Sequence, residues 1–148
     1  MRETFRGNGL KYFAILAILL GGCSHPDYTA SGLEVHCTQT CPPERDVRAV
    51  ISSAREFWAN VPAGACGVTS TTWPVGARVD FWTRPLPQGA DGYSVPRTEF
   101  IAIRNAPGWQ TVLSYEIAMV VLKARGGFES EAANTFQCLR RGAPRSLP

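Results

Sequence analysis

The chain has 148 residues, of which 45% are hydrophobic and 18% charged, with five cysteines and only two histidines. Three basic residues and one acidic residue lie in the first 22 positions, so residues 23–148 carry 12 basic and 11 acidic side chains. These 126 residues are enough for one ordinary domain, and their near-neutral balance lacks the basic surface typical of nucleic-acid-binding proteins. We therefore expect a single domain and no nucleic-acid partner.

The first 22 residues have the pattern of a signal peptide. Arg2, Arg6 and Lys11 give a positively charged start, and residues 12–20 are an unbroken apolar run. A membrane-spanning helix needs about 20 apolar residues, so this run is too short to cross a bilayer. Residues 1–22 are therefore predicted to direct export and to be removed.

The apolar run ends in Leu20-Gly21-Gly22-Cys23, which resembles the lipobox of bacterial lipoproteins. The resemblance implies lipidation of the Cys23 thiol, cleavage before that cysteine, and a cell-envelope protein whose partner is membrane lipid. Each buried methylene contributes roughly 0.8 kcal/mol, so two or more acyl chains hold a protein stably. Ser24 after the lipidated cysteine implies the periplasmic side of the outer membrane if the source has two membranes. The alternatives are an ordinary secretory signal or an uncleaved anchor.

Beyond the signal, the composition predicts three segments. Residues 23–32 are polar and rich in turn-forming residues, which indicates a lipidated tether. Residues 33–142 are predicted to form one domain without an internal repeat. Residues 143–148 are predicted to be a flexible tail, and the arginines near it (Arg140, Arg141 and Arg145) are interpreted as solvated.

Four cysteines remain once Cys23 is lipidated: Cys37, Cys41, Cys66 and Cys138. An even number of cysteines in an exported chain predicts two disulfides, and three pairings are open. A zinc site is the alternative, because the spacing of Cys37 and Cys41 suits it. However, Cys66 and Cys138 stand alone instead of forming a second close pair. The sequence therefore favours disulfides, and no metal or cofactor is expected.

The first long element is an amphipathic helix. Pro42 and Pro43 precede Glu44 and Asp46, and proline and carboxylates both suit the first turn of a helix. The helix is predicted to end at Pro62 and Gly64. Its apolar residues recur at intervals of three and four, which predicts one buried face: Val47, Val50, Ile51, Ala54, Phe57, Trp58 and Val61.

The remaining pattern predicts a small central sheet followed by two helices. Residues 33–37, 77–83 and 98–104 are the strand candidates, and the Gly- and Pro-rich stretch between the last two is expected to be a long connection. Helices are predicted over residues 111–125 and 130–140. The fold class is thus α+β, with an amphipathic N-terminal helix, a small central sheet, two C-terminal helices and disulfide staples.

A second and weaker resemblance covers residues 98–127. Tyr115-Glu116-Ile117-Ala118-Met119 is similar to the His-Glu-x-x-His motif of zincin-like metallopeptidases, and it lies in the same sheet-then-helix context. In that family the two histidines bind zinc and the glutamate is the general base. Tyr115 and Met119 replace both ligands here, so the resemblance implies a metallopeptidase domain that has lost its metal.

The second interpretation of this helix is an ordinary amphipathic helix with one glutamate near its buried stripe. Glu116 has valines four residues to either side, so it is expected to be partly buried. It then needs a partner such as Arg78 or Arg104, or its pKa rises. Three tryptophans (Trp73, Trp82 and Trp109) are either core residues or a stacking platform for a ligand.

No intact catalytic motif is present in the sequence. No Gly-x-Ser-x-Gly elbow, phosphate loop or dinucleotide fingerprint occurs, and the only histidines are His25 and His36. Pairs among Asp80, Asp91 and Glu99 would suit a glycosidase, although exposed surface charge is the simpler interpretation. The sequence therefore favours a non-enzymatic, membrane-anchored interaction or structural module of the cell envelope, whose protein partner it does not identify. The alternative is a catalytically inactive zincin-like homologue.

Overall fold

A mixed β-sheet occupies the centre of the fold in a computed structural model, which describes residues 25–69, 71–123 and 129–142. The described residues form five strands and three helices, which confirms the α+β class. The strands are β1 Tyr28–Ala30, β2 Leu33–Cys37, β3 Arg78–Trp82, β4 Gly92–Val95 and β5 Phe100–Arg104. The helices are α1 Glu44–Ala59, α2 Trp109–Val121 and α3 Glu129–Gly142.

The strand order in the sheet is β1-β2-β3-β5-β4. The three central strands are parallel, and both edge strands are antiparallel to their neighbours. Helix α1 supplies the crossover that parallel β2 and β3 require. Strand β4 follows β3 in the chain but pairs beyond β5, so the chain goes to the far edge before it returns to the centre.

The helices cover one face of the sheet. Alternate residues of the central strands point into this core, among them Val35, Val79, Phe81 and Ile101, all of which are completely buried. Helix α2 packs on β4 and β5, whereas α1 packs on α2 and β1. Helix α3 packs on α2 and on the short turn Ala65–Gly67. The predicted stripe of α1 is the buried one, because five of its seven residues lie in the core.

The aromatic ring of Phe136 joins the three helices. It stacks on Trp58 of α1 at a centroid distance of 6.0 Å, and Phe57 lies edge-on to it at 6.1 Å. The ring of Tyr115, on α2, lies at a centroid distance of 6.4 Å from that of Phe136. Burial of several rings in one place is a large apolar contribution. Helix α3 is therefore held by packing as well as by a covalent bond.

Both predicted disulfides are present, as Cys37–Cys41 and Cys66–Cys138, with Cα–Cα distances of 5.4 and 6.0 Å. The first closes a short loop with a sequence separation of 4, whereas the second spans 72 positions and ties the Ala65–Gly67 turn to α3. A disulfide stabilises the folded protein by reducing the conformational freedom of the unfolded chain, and this effect grows with the length of the closed loop. The expected contribution is about 2 kcal/mol for the short loop and about 4 kcal/mol for the long one. Cys66–Cys138 is thus the main covalent support of the fold.

Two sequence-based predictions about chain organisation are wrong. The tether expected over residues 23–32 includes β1, and the long connection expected between the last two strands contains β4. Both are edge strands of three or four residues, too short to show an alternating pattern. The turn between β1 and β2 has positive φ angles at Ser31 and Gly32, which suits a two-residue hairpin. The predicted tail, residues 143–148, lies outside the described residues.

Gly92 is needed for the close contact between β4 and α2. A Cβ atom at this position would lie 2.5 Å from Cγ1 of Val112 and 3.2 Å from Cγ of Glu116. We therefore expect Gly92→Ala to destabilise the fold by about 1–3 kcal/mol, because β4 or the helix must move away. Urea denaturation measures the change. Gly142→Ala is the control, since a Cβ there meets nothing within 4 Å, and equal stability losses in both variants would contradict the packing argument.

Candidate functional site

The predicted lipidation residue, Cys23, and the rest of the lipobox lie outside the described residues. The first described residue, His25, stands two positions after Cys23 and leads into β1. In the ranges that the structure covers, none of the helices combines the length and the apolar character needed to cross a bilayer.

The positions that resemble a metallopeptidase motif face the interior. Met119 is 1% exposed in the core, and the partly buried Tyr115 packs against Phe136. The histidines lie elsewhere, since His36 is on β2 and His25 precedes β1, whereas α2 covers β4 and β5 near the opposite edge. Neither motif position has an imidazole near it that would supply a metal ligand.

Glu116 is buried, with 7% of its surface exposed, between α2 and β4. Of the two alternatives that the sequence left open, an arginine partner is wrong, because Arg78 pairs with Asp80 at 2.6 Å and Arg104 with Asp91 at 3.7 Å. Burial raises the pKa of Glu116, a hydrogen bond with Ser94 opposes this, and the negative charge of Glu129 raises it further. The helix therefore holds a carboxyl group that keeps its proton to higher pH than an exposed glutamate does.

This burial makes the stability of the protein depend on pH. Because the pKa of Glu116 is higher in the folded protein than its usual value of 4.5, the folded state retains the proton to higher pH. Stability should then fall as the pH rises from about 4.5 through the raised pKa, and stay constant above it. Glu116→Gln should lack this fall and be within about 1 kcal/mol of the parent at neutral pH.

Thermal or urea denaturation between pH 4 and pH 8 tests this expectation. Glu131→Gln removes an exposed carboxylate from α3 and controls for the change in net charge. If the stability curves of Glu116→Gln and the parent run parallel over this range, Glu116 does not hold an extra proton in the folded state.

The other candidate residues do not form a catalytic group. Asp80 and Asp91 each pair with an arginine instead of with one another. Trp109 is a core residue whose ring meets Phe81 edge-on at 5.4 Å, and Trp73 donates its indole N–H to the carbonyl of Ser31 at 2.8 Å. The three tryptophans therefore do not form a single platform.

The remaining tryptophan, Trp82, belongs to the side of the sheet that faces away from the helices, which we call the open face. Within the described ranges no helix packs on this side. Partly exposed aromatic rings lie on it, with Tyr93 and Phe100 at a centroid distance of 6.0 Å, and Val95 is 39% exposed. The open face consists of Glu34, His36, Arg78, Asp80, Trp82, Tyr93, Val95, Phe100, Ala102 and Arg104.

Polar groups accompany these rings. Trp82 and Arg104 are paired in register, and Trp82 Nε1 and Arg104 Nε are both buried without an acceptor among the described atoms. Two arginines and two carboxylates balance the charge of the face. Sequence reasoning missed this surface because Tyr93 and Val95 lie on the unpredicted strand β4. The alternation of Arg78, Asp80 and Trp82 along β3 was the only available signal.

The protein-family models, curated proteins and solved structures that were compared with the chain include no match. Function therefore has to be inferred from the residues and geometry of the chain itself.

Proposed function

We propose that this chain is a lipid-anchored protein of the cell envelope that acts as a non-enzymatic binding module. Its open face is the binding surface. The observation that carries the proposal is a sheet face that combines partly exposed aromatic rings with two arginines and two carboxylates, and on which no helix packs within the described part of the chain.

A protein is the partner that fits this surface best. Aromatic residues and arginine are enriched at protein interfaces, where rings fill pockets and polar groups form the rim. Nucleic acids and anionic lipid surfaces select strongly basic patches instead, and the open face has no excess of positive charge.

The anchor restricts where this partner lies. Tyr28, the first residue of β1, is five positions after Cys23. Five extended residues reach no more than about 18 Å, so an acylated Cys23 keeps the domain against the membrane. The proposed partner is therefore a protein embedded in, or peripheral to, the same membrane.

The lipid anchor is tested with Cys23→Ala in the full-length protein. The thiol is the acyl acceptor of the lipobox, so we expect the variant to lose labelling by radioactive palmitate. It should appear in the soluble fraction or remain with an uncleaved signal. Cys37→Ser/Cys41→Ser is the control, because it removes thiols that the lipobox does not contain. Palmitate that persists on Cys23→Ala would contradict lipidation at this residue.

The open face is tested with two exposed valines. Val95 is 39% exposed on the open face, whereas Val75 is 70% exposed on a loop before β3. A photo-crosslinking amino acid at Tyr93, in cells of the source, should give a discrete adduct with a membrane protein. Val95→Asp should reduce that adduct at least about tenfold, because a charge is placed in an apolar contact. Val75→Asp should leave it unchanged.

A crosslinker at Arg55, on the exposed surface of α1, supplies the second control and should give no such adduct. The open face would be excluded as the binding surface if Val95→Asp did not reduce the yield of the adduct formed by the crosslinker at Tyr93. It would also be excluded if the crosslinker at Arg55 captured the same protein equally well.

The second candidate function is a catalytically inactive zincin-like homologue. The observation in its favour is that β5 leads directly into α2, which buries Glu116 beside an edge strand. We place it second because Met119 lies in the core and Tyr115 packs on α3, so these positions do not line a cleft. Peptidase activity that Glu116→Gln abolishes would overturn both proposals, since both describe a protein without catalysis.

A further inference from the structure

A groove of about 470 Å³ lies between the second half of α1, the turn Ala65–Gly67 and the end of α3. This volume falls within the range of about 300–1,000 Å³ that is usual for binding pockets. The Cys66–Cys138 disulfide is part of its lining, and both cysteines are exposed. We call this cavity the α1–α3 groove, and its lining includes Glu56, Phe57, Val61, Leu139 and Gly142.

The α1–α3 groove is mainly apolar and has one charged side chain in its lining. Leu139 is buried there, and Phe57 and Val61 are partly buried against the core. Glu56 is exposed and forms no ion pair with any described residue. A complementary occupant therefore combines apolar side chains with a positive charge.

The chain itself supplies a segment with this composition directly after α3. Residues 143–148 read Ala-Pro-Arg-Ser-Leu-Pro, in which Leu147 is apolar and Arg145 is the only charged residue. Pro144 and Pro148 lack a backbone N–H, and each disfavours the helical conformation in the residue before it. The sequence of the segment therefore favours an extended chain over a continuation of the helix.

The segment also begins at the groove. Gly142 is the last residue of α3 and is part of the lining. Six extended residues reach at most about 20 Å, roughly twice the diameter of a sphere with the volume of the groove. Attachment beside the groove gives the segment an effective concentration on the order of millimolar, so a few contacts suffice for binding. The N-terminal segment is less suitable, because it enters the fold at β1, which contacts α1 but not α3.

We propose that residues 143–148 bind in the α1–α3 groove and cover the Cys66–Cys138 disulfide. This proposal departs from the flexible tail and the solvated arginine that the composition of the sequence predicts. It concerns the helical side of the fold, whereas the open face lies on the other side of the sheet. It therefore depends neither on the lipid anchor nor on the partner proposed for the open face.

Two side chains of the segment make the proposed contacts. Leu147 packs on the apolar lining beside Leu139, and the guanidinium of Arg145 pairs with the carboxylate of Glu56. Side chains alternate along an extended chain, so residues two positions apart lie on the same side. Leu147 and Arg145 can then face the groove together, while Ser146 faces solvent.

The bound segment protects the disulfide that supports α3. A dithiol reductant attacks one sulfur of Cys66–Cys138 with a thiolate, and its second thiolate then releases the protein as two thiols while the reductant becomes a disulfide. The rate of this exchange depends on access of the thiolate to the sulfur atom. Because both cysteines line the groove and are exposed, an occupied groove should slow their reduction.

The first test measures the rate at which dithiothreitol reduces Cys66–Cys138 in the full-length protein in detergent. Alkylation followed by mass spectrometry of the Cys138 peptide separates this bond from Cys37–Cys41. Leu147→Asp should accelerate the reduction at least about fivefold, because a charge in an apolar groove releases the segment. Ser146→Asp is the matched control, since it adds the same charge on the solvent side. It should change the rate by less than about twofold.

A charge exchange tests the ion pair. Arg145→Glu should accelerate the reduction about two- to fivefold, because it replaces an exposed ion pair with like charges. Glu56→Arg introduced into the same chain should restore the parent rate. Far-UV circular dichroism establishes that each variant is folded, so that faster reduction does not report unfolding.

The second test locates the segment directly. A diazirine-bearing apolar amino acid at position 147 should give a crosslink within one chain, which mass spectrometry maps to the peptide of α1 that contains Phe57 or to the peptide of α3 that contains Leu139. The same amino acid at Val75, an exposed position on the loop before β3, should give no crosslink to these peptides.

Equal rates of reduction for Leu147→Asp and Ser146→Asp would overturn the proposal. So would a crosslinker at position 147 that reaches no residue of the α1–α3 groove, or that joins a second copy of the chain, a lipid or another protein instead. None of these readouts involves Cys23 or the open face, so failure here leaves the proposed function untouched.

Discussion

The contact between helix α2 and the edge strand β4 determines most of what this molecule presents to its surroundings. The absence of a side chain at Gly92 lets Val112 and Glu116 approach the strand directly. Because side chains alternate along a strand, fixing Gly92 and Ser94 toward the helix turns Tyr93 and Val95 to the other side. The same contact therefore buries a carboxyl group on one face and builds an aromatic surface on the other.

In this arrangement helix α2 has a structural role. Its apolar residues fill the core, and Met119 and Tyr115 contribute to packing at positions where a metallopeptidase has ligands. The raised pKa of Glu116 follows from burial in this contact, with a serine as the local polar partner. A perturbed carboxyl is often taken as a sign of catalysis, but a dense helix–strand contact produces the same shift.

The two disulfides contribute differently to the stability of the fold because they close loops of different length. Cys66–Cys138 connects a turn after α1 to the last helix. It therefore strongly reduces the conformational freedom of the unfolded chain, and it supports the packing around Phe136. Cys37–Cys41 leaves the rest of the chain unrestricted, and it lies where a hairpin gathers Asp27 and both histidines.

The sequence by itself determined the elements that carry a long periodic pattern. Helix α1, the later helices and the strands that contain Val79 and Ile101 were predicted within a few residues, because their apolar residues repeat at the interval of the element. The even number of cysteines beyond the predicted lipidation site also predicted two disulfides. Strands β1 and β4 were missed, since three or four residues at an edge are stabilised by pairing with a neighbour more than by their own pattern.

Only the tertiary structure decided which residues meet. The sequence left three cysteine pairings open and gave Glu116 either an arginine partner or a raised pKa. The fold brings Cys66 to Cys138, and it raises the pKa of Glu116 by burial, with Ser94 as the polar neighbour. It likewise gathers His25, Asp27 and His36 at one end of a hairpin that the sequence did not predict. Periodicity reports which side of an element is buried, but it contains no information about the neighbour on that side. Such contacts depend on strand order and register, which are set by packing of the whole chain.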